Sequence, residues 1–259
     1  MALAAHDRRA LIAQSINFEG WASVVELAKR YEVSEVGIRR DLEELEGQGL
    51  VKRVRGGALP TGSSSLTDIY GQRAAKSVEP KRSIAREAAK LIEPNDRIIL
   101  DSGSTIAELA RLVPVIVPLG HHLRIITGSC PVVDALTPYP QIQLFVLGGM
   151  YLHQYRTLIG PQTLHSLTGM HVDKMFMGSD GLTVETGTTT ANVLEAEVTQ
   201  AMAKAATTLI VVADSSKIGL TGFTTVMPLQ EVDVLITDQG APAEFVAQAR
   251  SLGVDVHLV

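Results

Sequence analysis

The sequence predicts an α/β main domain with a mostly parallel sheet, preceded by a small N-terminal domain of helices and a β-hairpin. Two observations predict the main domain: short apolar runs rich in β-branched residues recur after residue 95, and amphipathic helical stretches separate them. A third observation predicts the smaller domain, because residues 23–59 combine two capped helical segments with a basic alternating segment. At 259 residues the chain has room for both domains.

Two short helices are predicted at the start of residues 23–59. Ser23 is the expected N-cap of the first, and Glu26 completes an S-x-x-E capping box. Ser34 is the expected N-cap of the second. The apolar stripe of this second helix repeats at i, i+4 and i+7: Ile38, Leu42 and Leu45. The residues left facing outward are charged: Glu35, Arg39, Arg40 and Glu43. Leu11, Ile12 and Ile16 predict the apolar face of a preceding helix.

A basic segment follows the second helix. Leu50–Arg55 alternates apolar and cationic residues, which predicts a small β-wing closed by the pair Gly56-Gly57. A helix-turn-helix places its second helix in the major groove of DNA while flanking elements hold phosphates. We therefore expect a winged helix-turn-helix that binds duplex DNA. The expected interface residues are Ser23, Ser34, Glu35, Arg39, Arg40, Lys52, Arg53 and Arg55.

The same charges have a second interpretation. Arg39 and Arg40 could pair with neighbouring glutamates on a solvated helix face, and the wing cations could be edge-strand charges that oppose aggregation. Residues 1–60 hold nine Lys/Arg and nine Asp/Glu, so this domain is neutral and should bind non-specific DNA modestly. The aromatic content of 4% favours duplex DNA over single-stranded partners.

The remaining composition indicates a cytoplasmic protein. The single Cys130 excludes an intramolecular disulfide and fits a reducing compartment. No apolar run reaches membrane-spanning length, so no membrane association is expected. The run Pro-Thr-Gly-Ser-Ser-Ser at 60–65 predicts a linker. The predicted domains are 1–58 for DNA binding, 59–75 as linker and 76–259 for effector binding and oligomerisation.

The main domain is predicted to begin with a helix from about Pro80 to Ile92. The predicted strands are Arg97–Leu100, Leu123–Thr127, Ile142–Leu147, Met175–Gly178, Leu209–Ala213, Val232–Thr237 and Val254–Val259. Four of them end near an aspartate: Asp101, Asp180, Asp214 and Asp238. Open α/β sheets bind ligands at the carboxyl ends of their strands. Asp238, followed by Gln-Gly-Ala-Pro, is expected only to cap a turn, whereas Asp101 and Asp180 precede polar loops of small residues.

The loop after Asp101 predicts an anion site. Ser102-Gly-Ser-Thr105 joins a strand to a helix predicted over 106–112, and a helix N-terminus supplies free N–H donors. The alternative is that this loop only caps the helix. Glycines follow other strands at Gly148-Gly149 and within Gly178–Gly181. Lys217, which follows another strand, could reach an anion or could be an ordinary surface lysine. Lys81 and Arg82 are further candidate cations.

These motifs together resemble the DeoR family of bacterial transcriptional regulators. The resemblance rests on residues 33–58, VSEVGIRRDLEELEGQGLVKRVRGGA, and on the later motifs DSGST, GG, GSDG and DSSK. It implies a Rossmann-like sensor domain related to ribose-5-phosphate isomerase, with a phosphorylated sugar as effector. The DSGST loop and Lys217 would hold the phosphate, Lys81 would reach it, and Asp101, Asp180 and Glu195 would face the sugar hydroxyls. The full predicted effector set is Lys81, Asp101, Ser102, Gly103, Ser104, Thr105, Gly148, Gly149, Asp180, Gly181, Glu195 and Lys217.

Three positions depart from the family pattern. Gly37 stands where threonine is usual, Gly128 where the motif reads T-N-S, and Thr199 where lysine is usual. The first removes a hydroxyl from the second helix of the DNA-binding domain. The other two lie in the predicted sensor domain.

An enzyme is the alternative function. Isomerases on this fold carry D-G-A-D-E where this chain has Ser179-Asp-Gly-Leu-Thr183, so the second acidic pair needed for proton transfer is missing. The histidines lack ligand spacing and there is no cysteine cluster, so neither metal nor cofactor is expected. We predict a non-enzymatic repressor of a sugar-catabolism operon, released from its operator by a phosphorylated sugar. Two-fold DNA sites require a homo-oligomer, a dimer or higher. The rival prediction is a sugar-phosphate isomerase-like enzyme with an appended helix-turn-helix.

Overall fold

The structure is a computed structural model that describes residues 5–19, 21–60, 69–116 and 123–259, without the side chains of 6–7 and 17–19. The chain divides into two compact units, Met1–Lys76 and Ser77–Val259. The first contains α1 (Ala5–Glu19), β1 (Ala22–Ser23), α2 (Val24–Tyr31), α3 (Glu35–Gly47), β2 (Val51–Val54), β3 (Gly57–Pro60) and α4 (Ile69–Ala74). We call it the N-terminal unit and the second the C-terminal unit.

The helix caps of the N-terminal unit follow the sequence. The capping box is confirmed: Ser23 Oγ accepts a hydrogen bond from the Glu26 N–H at 3.0 Å, and the Glu26 carboxylate accepts from Ser23 in return. Ser34 Oγ likewise accepts from the N–H of Gly37 at 3.2 Å. These bonds satisfy donors that the first turn of a helix otherwise leaves free. Both helices therefore begin where the sequence predicts.

The core of the N-terminal unit joins α1, α2 and α3. The apolar stripe of α3 is buried as predicted, and Ile12 and Ile16 of α1 pack into the same core. The prediction for Leu11 was wrong, because its side chain is 40% exposed. Residues 12 and 16 are one turn apart and point into the core together. Residue 11 lies on an adjacent side of the helix and therefore faces solvent.

The wing is a β-hairpin. β2 pairs antiparallel with β3, and β3 pairs with β1. The predicted alternating segment was one residue too long at each end, since β2 runs from Val51 to Val54, and Arg55 lies with Gly56 in the turn. Gly57 does not close the hairpin but opens β3. The range predicted as linker, 59–75, contains the end of β3 and helix α4, and its residues 61–68 lie outside the described residues.

The C-terminal unit alternates helices with strands. Its helices are α5 (Val78–Ala89), α6 (Ser104–Ile116), α7 (Cys130–Leu136), α8 (Pro161–Ser166), α9 (Val193–Ala205) and α10 (Ala243–Ser251). The strands of its main sheet are β4 (Arg97–Leu100), β5 (Leu123–Thr127), β6 (Ile142–Val146), β9 (Val172–Met177), β12 (Ala206–Val212), β14 (Val234–Thr237) and β15 (Asp255–Leu258). The remaining strands are β7 (Met150–Leu152), β8 (Thr157–Ile159), β10 (Gly181–Thr183), β11 (Gly187–Thr190) and β13 (Thr224–Met227). The helix predicted from Pro80 to Ile92 is α5, which begins two residues earlier and ends three earlier.

All seven predicted strands join one sheet. Its order is β15-β14-β12-β9-β4-β5-β6, and every neighbouring pair is parallel. Both faces are covered: Ile98 and Phe176 pack with α5 and α6, whereas Ile99 and Met175 pack with α9 and α10. The predicted fold class, an α/β domain with a parallel sheet and a small N-terminal winged helix-turn-helix, is confirmed.

The strand order reverses at the centre of this sheet. From β4 the chain adds β5 and β6 on one side, and from β9 it adds β12, β14 and β15 on the other. The carboxyl ends of β4 and β9 therefore form the crevice at which open α/β sheets bind ligands. Two small antiparallel sheets, β10-β11-β13 and β7-β8, complete the unit. Among the described residues, no helix is both long and apolar enough to cross a bilayer.

Candidate nucleic-acid interface and effector site

The outward face of α3 carries the charges that the sequence places there. Glu35, Arg39, Arg40 and Glu43 are all exposed. Arg39 Nη2 lies 2.7 Å from Glu35 Oε2, one turn away, so this arginine adopts the pairing that the alternative interpretation describes. Arg40 has no ion pair or hydrogen-bond partner for its side chain within the described ranges. Among the described residues, Arg40 is therefore the cation on α3 that could contact a nucleic acid without first giving up an ion pair.

The wing adds three exposed cations beside α3. Arg53 contacts α3 twice: its Nη1 lies 2.8 Å from Glu43 Oε1, and its backbone N–H donates to Glu46 Oε1 at 2.8 Å. Lys52 on β2 and Arg55 in the turn make no such side-chain contact with the part of the chain that the structure describes. Ser23 and Ser34, the remaining predicted DNA contacts, use their hydroxyls as caps.

Asp41 supports the candidate interface from behind α3, and sequence reasoning missed it. Its carboxylate is buried and accepts from Arg8 Nε at 2.7 Å, with Arg9 Nε at 3.7 Å. These contacts fix α1 against α3, which sets the position of the exposed face of α3. The only signal is the acidic residue directly after Arg39-Arg40, and a surface position would look the same in sequence.

In the C-terminal unit, the crevice gathers three predicted carboxyl groups. Asp101 follows β4, is 7% exposed, and accepts from Thr199 Oγ1 at 3.4 Å. Burial, together with the nearby charges of Glu195 and Asp180, raises the pKa of Asp101 to about 7. The Asp101 carboxyl is therefore partly protonated at neutral pH and can donate as well as accept a hydrogen bond.

Hydroxyl groups link the other two carboxylates. Glu195, buried in the first turn of α9, accepts from Ser102 Oγ at 2.9 Å and from Thr190 Oγ1 at 2.7 Å. Thr190 Oγ1 also lies 3.2 Å from Asp180 Oδ2, which in addition accepts from the N–H of Ala191 at 3.2 Å. Sequence reasoning missed Thr190 as a site residue. The threonine run before an N-cap and an acidic residue was the available signal.

The DSGST loop begins helix α6 earlier than predicted. The helix starts at Ser104, not at residue 106, so Ser104 and Thr105 lie in its first turn. Gly103 has φ +122 and borders open space, a conformation that residues with a side chain rarely adopt. The loop therefore offers free first-turn N–H groups together with the hydroxyls of Ser104 and Thr105, whereas the hydroxyl of Ser102 already donates to Glu195.

The predicted glycines divide into two kinds. A Cβ on Gly149 would lie 2.1 Å from Thr163 Oγ1, and one on Gly181 would lie 2.4 Å from Leu220 O. Close packing within the unit therefore accounts for both glycines without a ligand. Gly148 borders open space, although its carbonyl accepts from Thr163 Oγ1 at 2.7 Å.

The predicted lysines differ in surroundings. Lys217 ends a short 3-10 turn after β12, is half-buried, and is followed by Ile218, which bridges to Leu182 of β10. Because β10 begins directly after Asp180, this turn lies at the same edge of the sheet. Lys81 is buried in the first turn of α5. Asp238 caps its own turn, as the sequence favours, by accepting from the N–H of Gly240 at 3.0 Å. It also accepts from Ser215 N at 2.6 Å and Ser215 Oγ at 2.8 Å in the turn after β12.

Ser129 is a further residue that the predictions omitted. It follows β5, the neighbour of β4, and its Oγ is buried with no hydrogen-bond partner in the described part of the chain. A buried hydroxyl without a partner costs about 1–3 kcal/mol, and such groups call for a bound water or ligand. Within the described ranges, no group of three or more His, Cys, Asp or Glu side chains is arranged to hold a metal ion.

A winged helix-turn-helix with an exposed basic face, in one chain with an α/β unit that has a polar switch-point crevice, defines a DNA-binding transcriptional regulator. Two family models match this chain: the DeoR-like helix-turn-helix domain over residues 8–62 and the DeoR C terminal sensor domain over residues 76–239. The chain belongs to the DeoR family of transcriptional regulators.

Curated relatives agree with this assignment over nearly the whole chain. The putative aga operon transcriptional repressor of Escherichia coli O157:H7 is 36% identical over 257 residues, which cover 98% of this chain and 93% of the relative. The regulator GlpR of Haloferax volcanii is 32% identical, with 96% of each chain covered. The repressor GlcR of Bacillus subtilis is 36% identical, with 80% of this chain and 78% of the relative covered.

Among solved structures, ribose 5-phosphate isomerase A of Methanocaldococcus jannaschii matches 55% of each chain. Its TM-score is 0.42 and its sequence identity is 21%. At this distance the likeness does not bear on function.

Proposed function

We propose that this regulator represses a sugar-catabolism operon and leaves its operator when a phosphorylated sugar binds the C-terminal unit. The observation that carries the proposal is the convergence of Asp101, Ser102, Asp180 and Glu195 at the switch-point crevice, next to the first turn of α6. A sugar phosphate presents one anionic group and several hydroxyls. This crevice offers both kinds of partner.

The phosphate is assigned to the DSGST loop. Helix N-termini bind anions through free N–H groups and the helix dipole, and the hydroxyls of Ser104 and Thr105 add donors. Lys217 and Lys81 supply positive charge, and Gly103 and Gly148 leave space for the ligand. Asp101, Asp180 and Glu195 are assigned to the sugar hydroxyls, because carboxylates accept hydrogen bonds from hydroxyl groups.

The names of the relatives support repression of an operon. The Escherichia coli relative is named for the aga operon, and it and the Bacillus subtilis relative are called repressors. Operators with two-fold symmetry require a homo-oligomer, a dimer or higher, and the protein would act in the cytoplasm. On the DNA side we assign Arg39 and Arg40 of α3 to base edges and the wing residues Lys52, Arg53 and Arg55 to phosphates. Glu35, Ser23 and Ser34 border this interface.

We infer that the C-terminal unit senses its ligand without turning it over. Leu182, at a position where the related isomerases carry an acidic group, is fully buried in the core, and Thr183 Oγ1 accepts from the N–H of Thr186 at 3.0 Å. Proton transfer between sugar carbons requires a base within reach of the substrate. The proposal needs no cofactor.

Release from DNA follows from population shift. The effector must bind the state that does not fit the operator more tightly than the DNA-competent state, or it shifts nothing. The test combines a thermal-shift screen of phosphorylated sugars with titration of the same sugars into a complex of full-length protein and duplex from its promoter region. A phosphorylated sugar is expected to raise the melting temperature and release the DNA. If pentose and hexose phosphates all leave both quantities unchanged, the proposal fails.

A further inference from the structure

In the N-terminal unit, the surface proposed to bind DNA carries carboxylates next to its cations. Of the cations on α3 and the wing, Arg39 and Arg53 each face a glutamate of α3, at 2.7 Å from Glu35 and 2.8 Å from Glu43. The paired groups are solvent-exposed, with side-chain exposures between 37% and 68%. Exposed pairs of this kind contribute little to stability. Stability therefore does not account for their place on this surface.

Glu43 lies between the recognition helix and the wing. Its carboxylate pairs with the guanidinium of Arg53, which would otherwise be available to a phosphate. Glu46 accepts a hydrogen bond from the backbone N–H of the same arginine. β2 is the edge strand of its sheet, so the contact with Glu46 also satisfies a backbone donor that pairing within the sheet leaves free. The two glutamates thus have different roles: Glu46 holds the backbone of β2 in place, and Glu43 neutralises the side chain of Arg53.

We propose that Glu43 and Glu35 compete with DNA phosphates for Arg53 and Arg39, and thereby lower the affinity of this regulator for non-specific DNA, on which Arg39 has no specific base to contact and faces phosphates instead. Non-specific binding arises from counterion release and scales with the number of cations that neutralise phosphates. A cation that already faces a carboxylate contributes less, because contact with a phosphate requires the internal pair to break. Arg40, Lys52 and Arg55, which have no such partner among the described residues, retain their full contribution.

This inference rests on the proposed contact between the wing and DNA phosphates. The test distinguishes a failure of the inference from a failure of that proposed contact. Full-length protein is titrated with a mixed-sequence 30-base-pair duplex at several salt concentrations. Glu43→Gln removes the competitor without removing bulk. It is expected to tighten binding about two- to five-fold. It should also steepen the slope of log K against log salt by up to about 0.9, the value for one additional phosphate contact.

Three variants keep the result interpretable. Glu32→Gln, at an exposed glutamate with no side-chain ion pair within the described ranges, removes the same charge and should change affinity less than two-fold. Arg53→Ala should weaken binding, and adding Glu43→Gln to it should then have no effect. Glu35→Gln tests the second pair and should act like Glu43→Gln, so the idea does not depend on one variant folding normally.

The outcomes divide cleanly. Unchanged or weaker binding by both Glu43→Gln and Glu35→Gln overturns the inference, as does an equal gain from Glu32→Gln, which would indicate a general effect of net charge. If Arg53→Ala leaves binding unchanged, the proposed phosphate contact of Arg53 is wrong, while the effector-release function still stands.

Discussion

The cations of α3 and the wing lie in solvent, either in one-to-one ion pairs or without a side-chain partner among the described residues, whereas Asp101 and Glu195 in the C-terminal unit are buried beside each other among hydroxyl groups. Solvent screens the first set, so each exposed pair has a small energy and exchanges partners readily. Burial amplifies the second set, and the pKa of Asp101 rises to about 7. One unit is suited to reversible binding of a long polyanion, and the other to selection of a small ligand with defined hydrogen bonds.

The largest expected effect concerns the proposed phosphate site. Lys217→Ala should leave the affinity for DNA unchanged and reduce the affinity for a phosphorylated sugar by tenfold or more, because a charge-assisted hydrogen bond contributes about 1.5–3 kcal/mol. Thermal shift and DNA release are measured on the same samples. Lys204→Ala, at an exposed position on α9, is the matched control and should behave like the parent protein. Normal release in Lys217→Ala would remove this lysine from the site.

The buried carboxyl should give the next largest effect. The pKa of Asp101 in the folded protein, about 7, lies above the value of about 4 in an unfolded chain. The folded state therefore binds more protons in between, so stability falls as pH rises from about 4 to about 7 and levels off above that. Asp101→Asn removes this dependence, so its stability relative to the parent should increase by on the order of 2–3 kcal/mol between pH 5 and pH 8. Urea unfolding at the two pH values measures it.

The pKa of Asp238 is shifted in the opposite direction to that of Asp101, so its effect on stability has the opposite pH dependence. Burial disfavours its charge, but hydrogen bonds from Ser215 and Gly240 outweigh burial and lower the pKa of Asp238. Its contribution to stability is present at neutral pH and is lost on acidification. Asp238→Asn should therefore destabilise at pH 7 and approach the parent at acid pH. A pH-independent difference for both variants would show that the fold does not shift the pKa values of these two carboxyl groups.

On the solvent-exposed side, the sharpest test is Arg40. If it reads a base edge, Arg40→Ala should cost about 1–3 kcal/mol of affinity for an operator selected from random duplexes. Arg40→Lys keeps the charge but loses the paired geometry of the guanidinium. A lysine variant as weak as the alanine variant indicates base contact, whereas full recovery by lysine indicates phosphate contact. No loss in either variant would leave Arg40 in solvent.

The smallest expected effect is that of the capping box. Ser23→Ala removes the Oγ that accepts from Glu26 N–H and should destabilise the N-terminal unit by about 1 kcal/mol. Effector-induced stabilisation of the C-terminal unit should be unchanged. Thermal unfolding with and without a phosphorylated sugar measures both. A loss of several kcal/mol would contradict the view that single exposed contacts contribute little in this unit.

Local sequence predicted those features that local chemistry determines. Continuous β-branched runs predicted all seven strands of the main sheet, and serines before apolar periods predicted the caps of α2 and α3. The small sheets were not predicted, because their strands have only three or four residues, too few to show a clear alternation; Gly187–Thr190, for example, is one glycine followed by three threonines. Leu11 was misplaced because neighbouring helical positions differ by about 100° in direction, which is close to the width of the apolar face, so a residue next to Ile12 can lie inside that face or outside it.

The crevice was predictable in part. Strand ends placed Asp101 and Asp180 at one edge, but the contact of Ser102 with Glu195 joins residues 93 positions apart and has no local signal. Ser129 was missed for the same reason, since its buried hydroxyl acquires meaning only from the segments folded around it. Thr190 contacts Glu195 only five positions along the chain, so its local signal existed but was not used. Gly149 and Gly181 were placed in the effector set by motif alone, although close packing within the unit is enough to require them.

The bond between Ser102 and Glu195 has a consequence for synthesis of the chain. Any nascent polypeptide that ends before α9 lacks one wall of the crevice, however well its first strands have paired. Ligand capture would then be possible only after some four-fifths of the message has been translated. The proposed sugar phosphate would thereby protect from proteolysis only chains that include α9, and shorter products would be degraded.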